Sequence, residues 1–194
     1  MSEVLVNPYR FGVACAETDY QNEPVTGGSG GRTLEGVSRP GAGFQINSGH
    51  VLVGKNVLRV TVKLDNDGKT PDATVAVRVR QTDGTIVGTF NTMDATNITS
   101  ATPAEFTFGE GDGNGGVAVE MSADDMITVE YPDTGDAIQI RISRVTPAGG
   151  GANYVTNAST FESDNVSYNA WSSWQDTYDP WYWTWFWLEC VYCE

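Results

Sequence analysis

Few side chains in this 194-residue sequence are suited to covalent or acid–base chemistry, because it contains one histidine and three cysteines. His50 follows a glycine and precedes a β-type run, a position typical of a turn contact. A catalytic nucleophile needs an adjacent general base, and one histidine among turn carboxylates does not supply such a pair. We therefore predict that the protein is not an enzyme and has no catalytic residues.

Three cysteines are too few for a disulfide framework, and their number is odd, so at most one bridge can form within the chain. Structural zinc needs four ligands, and Cys190-x-x-Cys193 is joined only by Cys15 and His50 as further candidates. If this segment is a strand, alternation places Cys190 and Cys193 on opposite faces. We predict free thiols and no zinc or redox motif.

Two acidic turns, residues 65–68 (DNDG) and 110–112 (EGD), place oxygen ligands on loops, as calcium sites do. Neither has the twelve-residue ligand spacing of a helix–loop–helix site, and Asp, Asn and Gly are also ordinary turn residues. We interpret both segments as turns. Calcium is the one cofactor that the sequence leaves open.

All six tryptophans lie near the C-terminus, and we predict that they contact a ligand or another subunit. They are Trp171, Trp174, Trp181, Trp183, Trp185 and Trp187. Alternation from residue 181 gives one face of tryptophans and a second face that is also apolar. Such a strand can stack on sugar rings, anchor a subunit interface or pack inside the core of one monomer. The sequence leaves these three interpretations open.

The elements that must position these residues are strands, and residues 57–90 show this most clearly. In residues 58–64 (LRVTVKL) and 74–80 (TVAVRVR), apolar side chains alternate with polar ones, which include Arg59, Lys63, Arg78 and Arg80. An Asp-Gly turn then leads into residues 85–90, as in a hairpin. Strands with one apolar face need a second layer, so we predict an all-β protein with eight to ten strands in an antiparallel, jelly-roll-like sandwich.

We predict one domain with three parts. Residues 1–50 form an extended N-terminal arm with the first strands, and a loop covers residues 22–43 with its most flexible point at 27–31. Residues 51–146 form the core sandwich. Residues 147–194 add a Gly-rich joint at 147–152 and an aromatic-rich C-terminal strand. Residues 4–6 are predicted as an edge strand that stops at Pro8.

The net charge of −14 opposes binding to nucleic acid and to anionic lipid. The first eight residues lack the basic and apolar regions of a signal peptide. Residues 181–192 are too short to span a bilayer, which takes roughly twenty apolar residues. We therefore predict no nucleic-acid partner, no membrane insertion and no signal peptide.

Several segments resemble a diffuse group of jelly-roll modules, similar to carbohydrate-binding modules, that recur in marine phage structural proteins and environmental surface proteins. The resemblance is carried by residues 4–11 (VLVNPYRF), 52–57 (LVGKNV), 75–80 (VAVRVR), 84–90 (GTIVGTF) and 94–96 (DAT). It extends over roughly residues 51–144 together with the first eleven residues, and it fixes no site residues. The tryptophan-rich strand departs from the pattern of the group.

The resemblance implies a homo-oligomeric structural protein of a bacteriophage virion or another extracellular assembly, such as a capsid-decoration, fibre or tail-associated subunit. Phage proteins reach the outside by lysis, so such a subunit needs no signal peptide. The expected partners are copies of the chain, other assembly proteins and cell-surface glycans. The alternative is a carbohydrate-binding module or a cell-surface adhesion protein.

Overall fold

The computed structural model describes residues 15–21, 29–35, 39–66, 68–111, 113, 115–132, 137–145, 158–163, 167–173, 183–186 and 188–194. These residues form two antiparallel sheets that pack around a shared apolar core. The predicted all-β sandwich is therefore confirmed. The predicted strand at residues 4–6 and the joint at 147–152 lie outside the described residues.

The described part of the chain contains fourteen strands and one short 3-10 helix, more elements than the eight to ten strands predicted. The strands are β1 Glu17–Gln21, β2 Ser29–Glu35, β3 Gly41–Ile46, β4 Asn56–Asp65, β5 Thr74–Arg80, β6 Ile86–Asp94, β7 Ala104–Gly109, β8 Val119–Glu120, β9 Met126–Glu130, β10 Ala137–Val145, β11 Ala158–Ser163, β12 Trp171–Ser173, β13 Trp183–Phe186 and β14 Leu188–Cys193. The 3-10 helix is Ala95–Asn97.

One sheet has eight strands and the other has six. The larger sheet contains the path β1-β14-β4-β10-β13, with β2 paired to β10 and with β7 and β8 paired to β4. The smaller sheet has the order β12-β11-β3-β9-β5-β6. Consecutive strands therefore often belong to different sheets, and the core lies between the two layers.

Alternation in β4 and β5 produces the core in the way the sequence predicts. Val60, Val62 and Leu64 in β4 are fully buried, and so are the three valines of β5. Arg59 and Lys63, on the other face of β4, are about 30% exposed. Burying each aliphatic side chain contributes roughly 1.5–3 kcal/mol, so this alternation fixes which face of each strand points inward.

The expectation that Arg80, on the polar face of β5, faces solvent is wrong, because the outer face of the six-stranded sheet is covered around Arg80 and along β9. Arg80 is buried, and its guanidinium stacks 4.4 Å from the centroid of the Tyr168 ring. Next to β5, every residue of β9 is buried, on both faces of the sheet. A strand buried on both faces is apolar except where polar groups find partners, and Thr128 and Glu130 do so.

The Glu130 carboxylate is the centre of a buried ion cluster. Arg80 Nε donates to Glu130 Oε1 at 2.6 Å, and Arg78 Nη1 donates to Glu130 Oε2 at 2.5 Å. The Thr128 hydroxyl donates to Glu130 Oε1 at 2.8 Å. Two arginines and a hydroxyl thus replace the water that this carboxylate loses on burial.

The predicted loop at residues 22–43 is wrong in two places. Ser29–Glu35 is strand β2, which pairs with β10 over seven positions, and β3 begins at Gly41 inside the smaller sheet. Two glycines of this range, Gly41 and Gly43, serve close packing. A Cβ atom at Gly41 would lie 2.9 Å from the Tyr168 ring, and one at Gly43 would lie 3.2 Å from the Trp171 ring. Tertiary pairing therefore overrides the local preference of glycine for turns.

We predict that Glu130→Gln lowers the free energy of unfolding by about 3–5 kcal/mol, because it leaves the buried Arg80 and the half-buried Arg78 without a countercharge. The matched control is Glu105→Gln on β7, whose carboxylate is 59% exposed and pairs with Lys63 at 3.3 Å. Removing an exposed pair of this kind costs about 1 kcal/mol or less. Urea unfolding of both variants measures the difference. Equal unfolding midpoints would show that the buried cluster stabilises the fold no more than the exposed pair does.

Candidate functional site

The described residues form a cleft of about 540 Å³ between two loops. One loop joins β4 to β5, and the other joins β6 to β7. The lining residues are Asn66, Lys69, Thr70, Pro71, Asp72, Thr96, Ile98 and Thr99. Small-ligand pockets usually measure roughly 300–1,000 Å³, so a molecule of one or two rings fits this volume.

The first wall is held by a side-chain turn that begins at Asn66. Its Oδ1 accepts from the Gly68 amide at 3.0 Å, and its carbonyl accepts from the Lys69 amide at 2.7 Å. Gly68 has φ of +69°, which favours glycine at this position. The turn predicted at residues 65–68 is confirmed at these residues.

The two acidic turns that the sequence leaves open for calcium include Asp67 and Asp112, which lie outside the described residues. Among the residues that the structure does describe, no three His, Cys, Asp or Glu side chains form a group suited to a metal ion.

The second wall is fixed by Asp94, which caps the 3-10 helix. Its Oδ1 accepts from the Thr96 hydroxyl at 2.7 Å and from the Thr96 amide at 2.9 Å. These hydrogen bonds lower the pKa of the Asp94 carboxyl. The helix then places Ile98 under the loop, with its side chain buried in the core.

Hydrogen bonds between the two loops hold the walls at a fixed separation. The Asn66 amide donates to the Ser100 carbonyl at 3.0 Å, and the Ala95 amide donates to the Ala73 carbonyl at 2.9 Å. Pro71 and Ile98 are buried and expose little surface to the cleft. The inter-loop hydrogen bonds therefore fix the shape of the cleft, and its accessible lining is mostly polar.

His50 is a structural residue in a buried aromatic group. Its Nδ1 accepts from the Leu52 amide at 3.2 Å, so the proton of the neutral ring lies on Nε2, which is 3.1 Å from the Tyr20 hydroxyl. The ring also meets Tyr20 and Phe44 edge-on, at centroid distances of 4.9 and 5.8 Å. Burial lowers the pKa of His50 to about 4. The predicted turn contact is present, and it extends into the core.

The prediction of free thiols is wrong for two of the three cysteines. Cys15 and Cys193 form a disulfide with a Cα–Cα distance of 5.4 Å. Cys193 pairs with Glu17 in the β1–β14 ladder, which brings it close to Cys15. Sequence spacing could not reveal this, because the two cysteines are 178 residues apart.

Cys190 is the free cysteine, and its side chain is buried. Leu188, Cys190 and Tyr192 are buried while the residues between them are not, so Cys190 and Cys193 lie on opposite faces, as predicted. Burial raises the pKa of the Cys190 thiol, which disfavours the reactive thiolate.

The six tryptophans do not form one described site. Trp171 is half-buried above Gly43, and its Nε1 donates to the Tyr168 carbonyl at 2.7 Å. Trp183 and Trp185 belong to β13, where they pair with Val145 and Ser143. Trp174, Trp181 and Trp187 lie outside the described residues.

Sequence reasoning missed the cleft, because its walls come from separate loops about thirty residues apart in the chain. Each loop has the sequence of an ordinary turn. The only sign of a cleft in the sequence is the clustering of Asn, Thr and Asp in the two loops.

Comparisons with known proteins found no matching protein family, curated protein or solved structure. No helix in the described part of the chain is long and apolar enough to cross a membrane.

We predict that stability falls with decreasing pH between about 6.5 and 4 because of His50. The unfolded histidine takes up a proton near pH 6.5, whereas the folded one stays neutral until about pH 4. Within this window the free energy of unfolding changes by up to about 1.4 kcal/mol per pH unit. The stability that the neutral ring contributes is fully present only above the window. Urea unfolding at several pH values from about 7.5 to 5.5 measures the slope.

The matched variant is His50→Gln, which removes the only histidine of the chain. Asp125, whose pKa is raised by burial, contributes with the opposite sign but is common to both proteins. The slope above pH 5.5 should therefore be smaller in the variant by the contribution of His50. Equal slopes in the two proteins would contradict the pKa assigned to His50.

We predict that the native, oxidised protein reacts with no thiol reagent and that the denatured, unreduced protein exposes one thiol. The one thiol is Cys190, since Cys15 and Cys193 are bridged. Reduction before denaturation should release three thiols, and closure of so long a loop contributes on the order of 5 kcal/mol in the chain-entropy model. Thiol counting on the wild type and on Cys190→Ser decides the matter; three thiols without reductant would exclude the bridge.

Proposed function

We propose that this chain is a non-enzymatic structural subunit of a phage virion or another extracellular assembly, such as a capsid-decoration, fibre or tail-associated protein. In this proposal the sandwich is a jelly roll, and copies of the chain contact one another through the tryptophan-rich segment.

The strand order supports the jelly roll. In the larger sheet, β2, β10, β4 and β7 are neighbours in that order, and in the smaller sheet the order is β3, β9, β5, β6. This is the arrangement expected when a chain of eight strands is wound into two Greek keys across two sheets. In this interpretation β1, β13 and β14 enlarge one sheet, and β11 and β12 extend the other.

The chemistry-bearing groups of the described residues are engaged in structure, which supports a non-enzymatic role. Both nitrogens of His50 make hydrogen bonds, and Glu130 is neutralised by two arginines. Cys190 is buried as a neutral thiol. None of these groups is placed to take a proton from a bound molecule in solvent.

The disulfide supports an extracellular location. A bridge between Cys15 and Cys193 is retained in oxidising surroundings and is rarely retained in the reducing cytosol. The net charge of −14 adds to this, because an acidic surface keeps exposed proteins soluble.

The observation that carries the assembly role is the register of β13. Trp183 pairs with Val145 and Trp185 with Ser143, so strand alternation gives the two tryptophans the same face of the sheet. Each tryptophan can bury roughly 150–250 Å², and two on one face of a strand are the kind of anchor that subunit interfaces use.

Deleting the C-terminal segment would not test this role. β14 lies between β1 and β4, and three of its residues are buried in the core. Removing it would also remove Cys193 and therefore the disulfide. Substitutions confined to β13 avoid both losses.

We predict that the full chain forms an oligomer and that Trp183→Thr/Trp185→Thr weakens the association about a thousandfold, since two interface anchors contribute roughly 2 kcal/mol each. Threonine keeps the preference for a strand. Native mass spectrometry and light scattering over a range of concentrations measure the oligomer.

The matched control is Ile86→Thr/Val87→Thr, a pair of exposed apolar residues on the edge strand β6. This variant should assemble like the wild type. A full chain that is monomeric at high concentration, or a tryptophan variant that assembles normally, would refute the proposed interface.

A further inference from the structure

We propose that the Cys15–Cys193 disulfide is a redox-sensitive latch for strand β1. Reduction of the bridge releases β1 from β14 and uncovers the buried thiol of Cys190. The proposal goes beyond the assembly role and does not depend on it, because the bridge and β1 include none of the tryptophans.

Strand β1 lies at the end of its sheet path, and among the described strands it pairs with β14 alone. None of its residues is fully buried: Thr18 and Tyr20 are half-buried, and the other three are exposed. Segments with few buried apolar contacts open at a low cost in free energy and without unfolding the core. β1 can therefore leave the sheet while the rest of the sandwich stays folded.

Glu17 and Tyr20 attach β1 to its surroundings in addition to the ladder. The Glu17 carboxylate pairs with Arg59 but is 51% exposed, and exposed pairs of this kind contribute little to stability. The Tyr20 hydroxyl lies 3.1 Å from His50 Nε2, and the two rings meet edge-on at a centroid distance of 4.9 Å. The noncovalent attachment of β1 thus depends mainly on one half-buried tyrosine.

The bridge holds the opposite end of β1. Cys193 pairs with Glu17 at the start of the strand, and the bridge keeps the Cα atoms of Cys15 and Cys193 5.4 Å apart. The Glu194 amide also donates to the Ala16 carbonyl at 3.3 Å, but both residues are exposed, so water can replace this bond. While the bridge is closed, β1 cannot leave β14 as a unit.

A dissolved thiol can reach the bridge. Cys15 and Cys193 are half-buried, and their neighbours Ala16 and Glu194 are exposed. A thiolate of a dithiol reagent attacks one cysteine sulfur and forms a mixed disulfide, which the second thiol of the reagent then resolves. Cys15 and Cys193 gain two electrons and two protons and become thiols, and the reagent becomes a cyclic disulfide.

The latch makes the attachment of β1 depend on the redox state of the surroundings. Thiol pools of a reducing compartment keep such a bridge open, and oxidising surroundings close it. β1 is therefore released in a reducing compartment and fastened in an oxidising one.

Release of β1 opens a path to Cys190. Tyr20 pairs with Cys190 in the ladder, and side chains of directly paired residues lie on the same face, so Tyr20 lies beside the thiol. β14 itself stays in place, because it also pairs with β4 and buries Leu188, Cys190 and Tyr192. A reagent that labels Cys190 in the folded protein therefore reports that β1 has left.

The test is hydrogen–deuterium exchange by mass spectrometry on the full chain, first oxidised and then reduced with dithiothreitol in the absence of denaturant. Reduction should speed exchange in residues 16–21 at least about tenfold and leave β5 and β9 unchanged, because those strands belong to the other sheet. Thiol counting without denaturant is the second measurement. It should find no reactive thiol in the oxidised protein and three in the reduced one, the third being Cys190.

The variant that opens the latch without a reductant is Cys15→Ser, and its control is Cys190→Ala, which also removes one sulfur but keeps the bridge. Cys15→Ser should show the fast exchange of β1 and two reactive thiols, those of Cys190 and Cys193. Cys190→Ala should exchange like the oxidised wild type and show no reactive thiol.

The proposal is overturned if reduction leaves the exchange of residues 16–21 unchanged, or if Cys190 stays unreactive in the reduced protein. Faster exchange across β5 and β9 would overturn it as well, because the bridge would then hold the whole fold and not one strand. Fast exchange of β1 in Cys190→Ala would show that its release does not depend on the bridge. A monomer that releases β1 on reduction refutes only the assembly role, and an oligomer that keeps β1 in place refutes only the latch.

Discussion

The neutralisation of Glu130 inside the smaller sheet is the interaction on which the arrangement of that layer depends. A carboxylate buried beside core strands costs several kcal/mol unless charged partners reach it, and Arg78 and Arg80 both do. Arg80 can turn away from water because Tyr168 covers it and because Gly41 leaves space for the same ring. One charge cluster thus connects β5, β9 and the segment before β12. It lets both faces of β9 be buried, whereas the edge strand β6 of the same sheet keeps exposed positions.

The larger sheet is shaped by a different constraint, the insertion of the C-terminal strands. β4 and β10 pair at Leu64 and Asp65, and beyond that point β14 pairs with β4 while β13 pairs with β10. The two strands therefore diverge, and β13 and β14 occupy the space between them. β1 adds to the outer side of β14, and the disulfide ties Cys15 to Cys193 beside it. The last residues are consequently part of the core, and the tryptophan-rich segment cannot be treated as an appendage.

How much the sequence predicts depends on whether the cause is local. The alternation in β4 and β5 predicted the buried valines and the sandwich, because the order of apolar and polar residues within one strand determines which face is buried. The same alternation failed for Arg80, since the cover over the second face comes from Tyr168, nearly ninety residues away. Glycines in β2 and β3 suggested a loop, although strand pairing and the rings above Gly41 and Gly43 explain them. The disulfide and the cleft were missed for the same reason, because each joins segments that no local pattern relates.

The groups that stabilise this structure and the cleft lie on separate parts of it, and that separation has a physical origin. The buried ion cluster and the His50 group act on strands or close to their ends, where removing one partner leaves the other unpaired in an apolar interior. The cleft is built from turns whose polar side chains face solvent, and Ile98 links it to the core. Changes to Lys69, Asp72 or Thr99 should therefore cost little in folding, since exposed side chains contribute little to the core. Loops carried on such a framework can change in sequence while the framework stays constant.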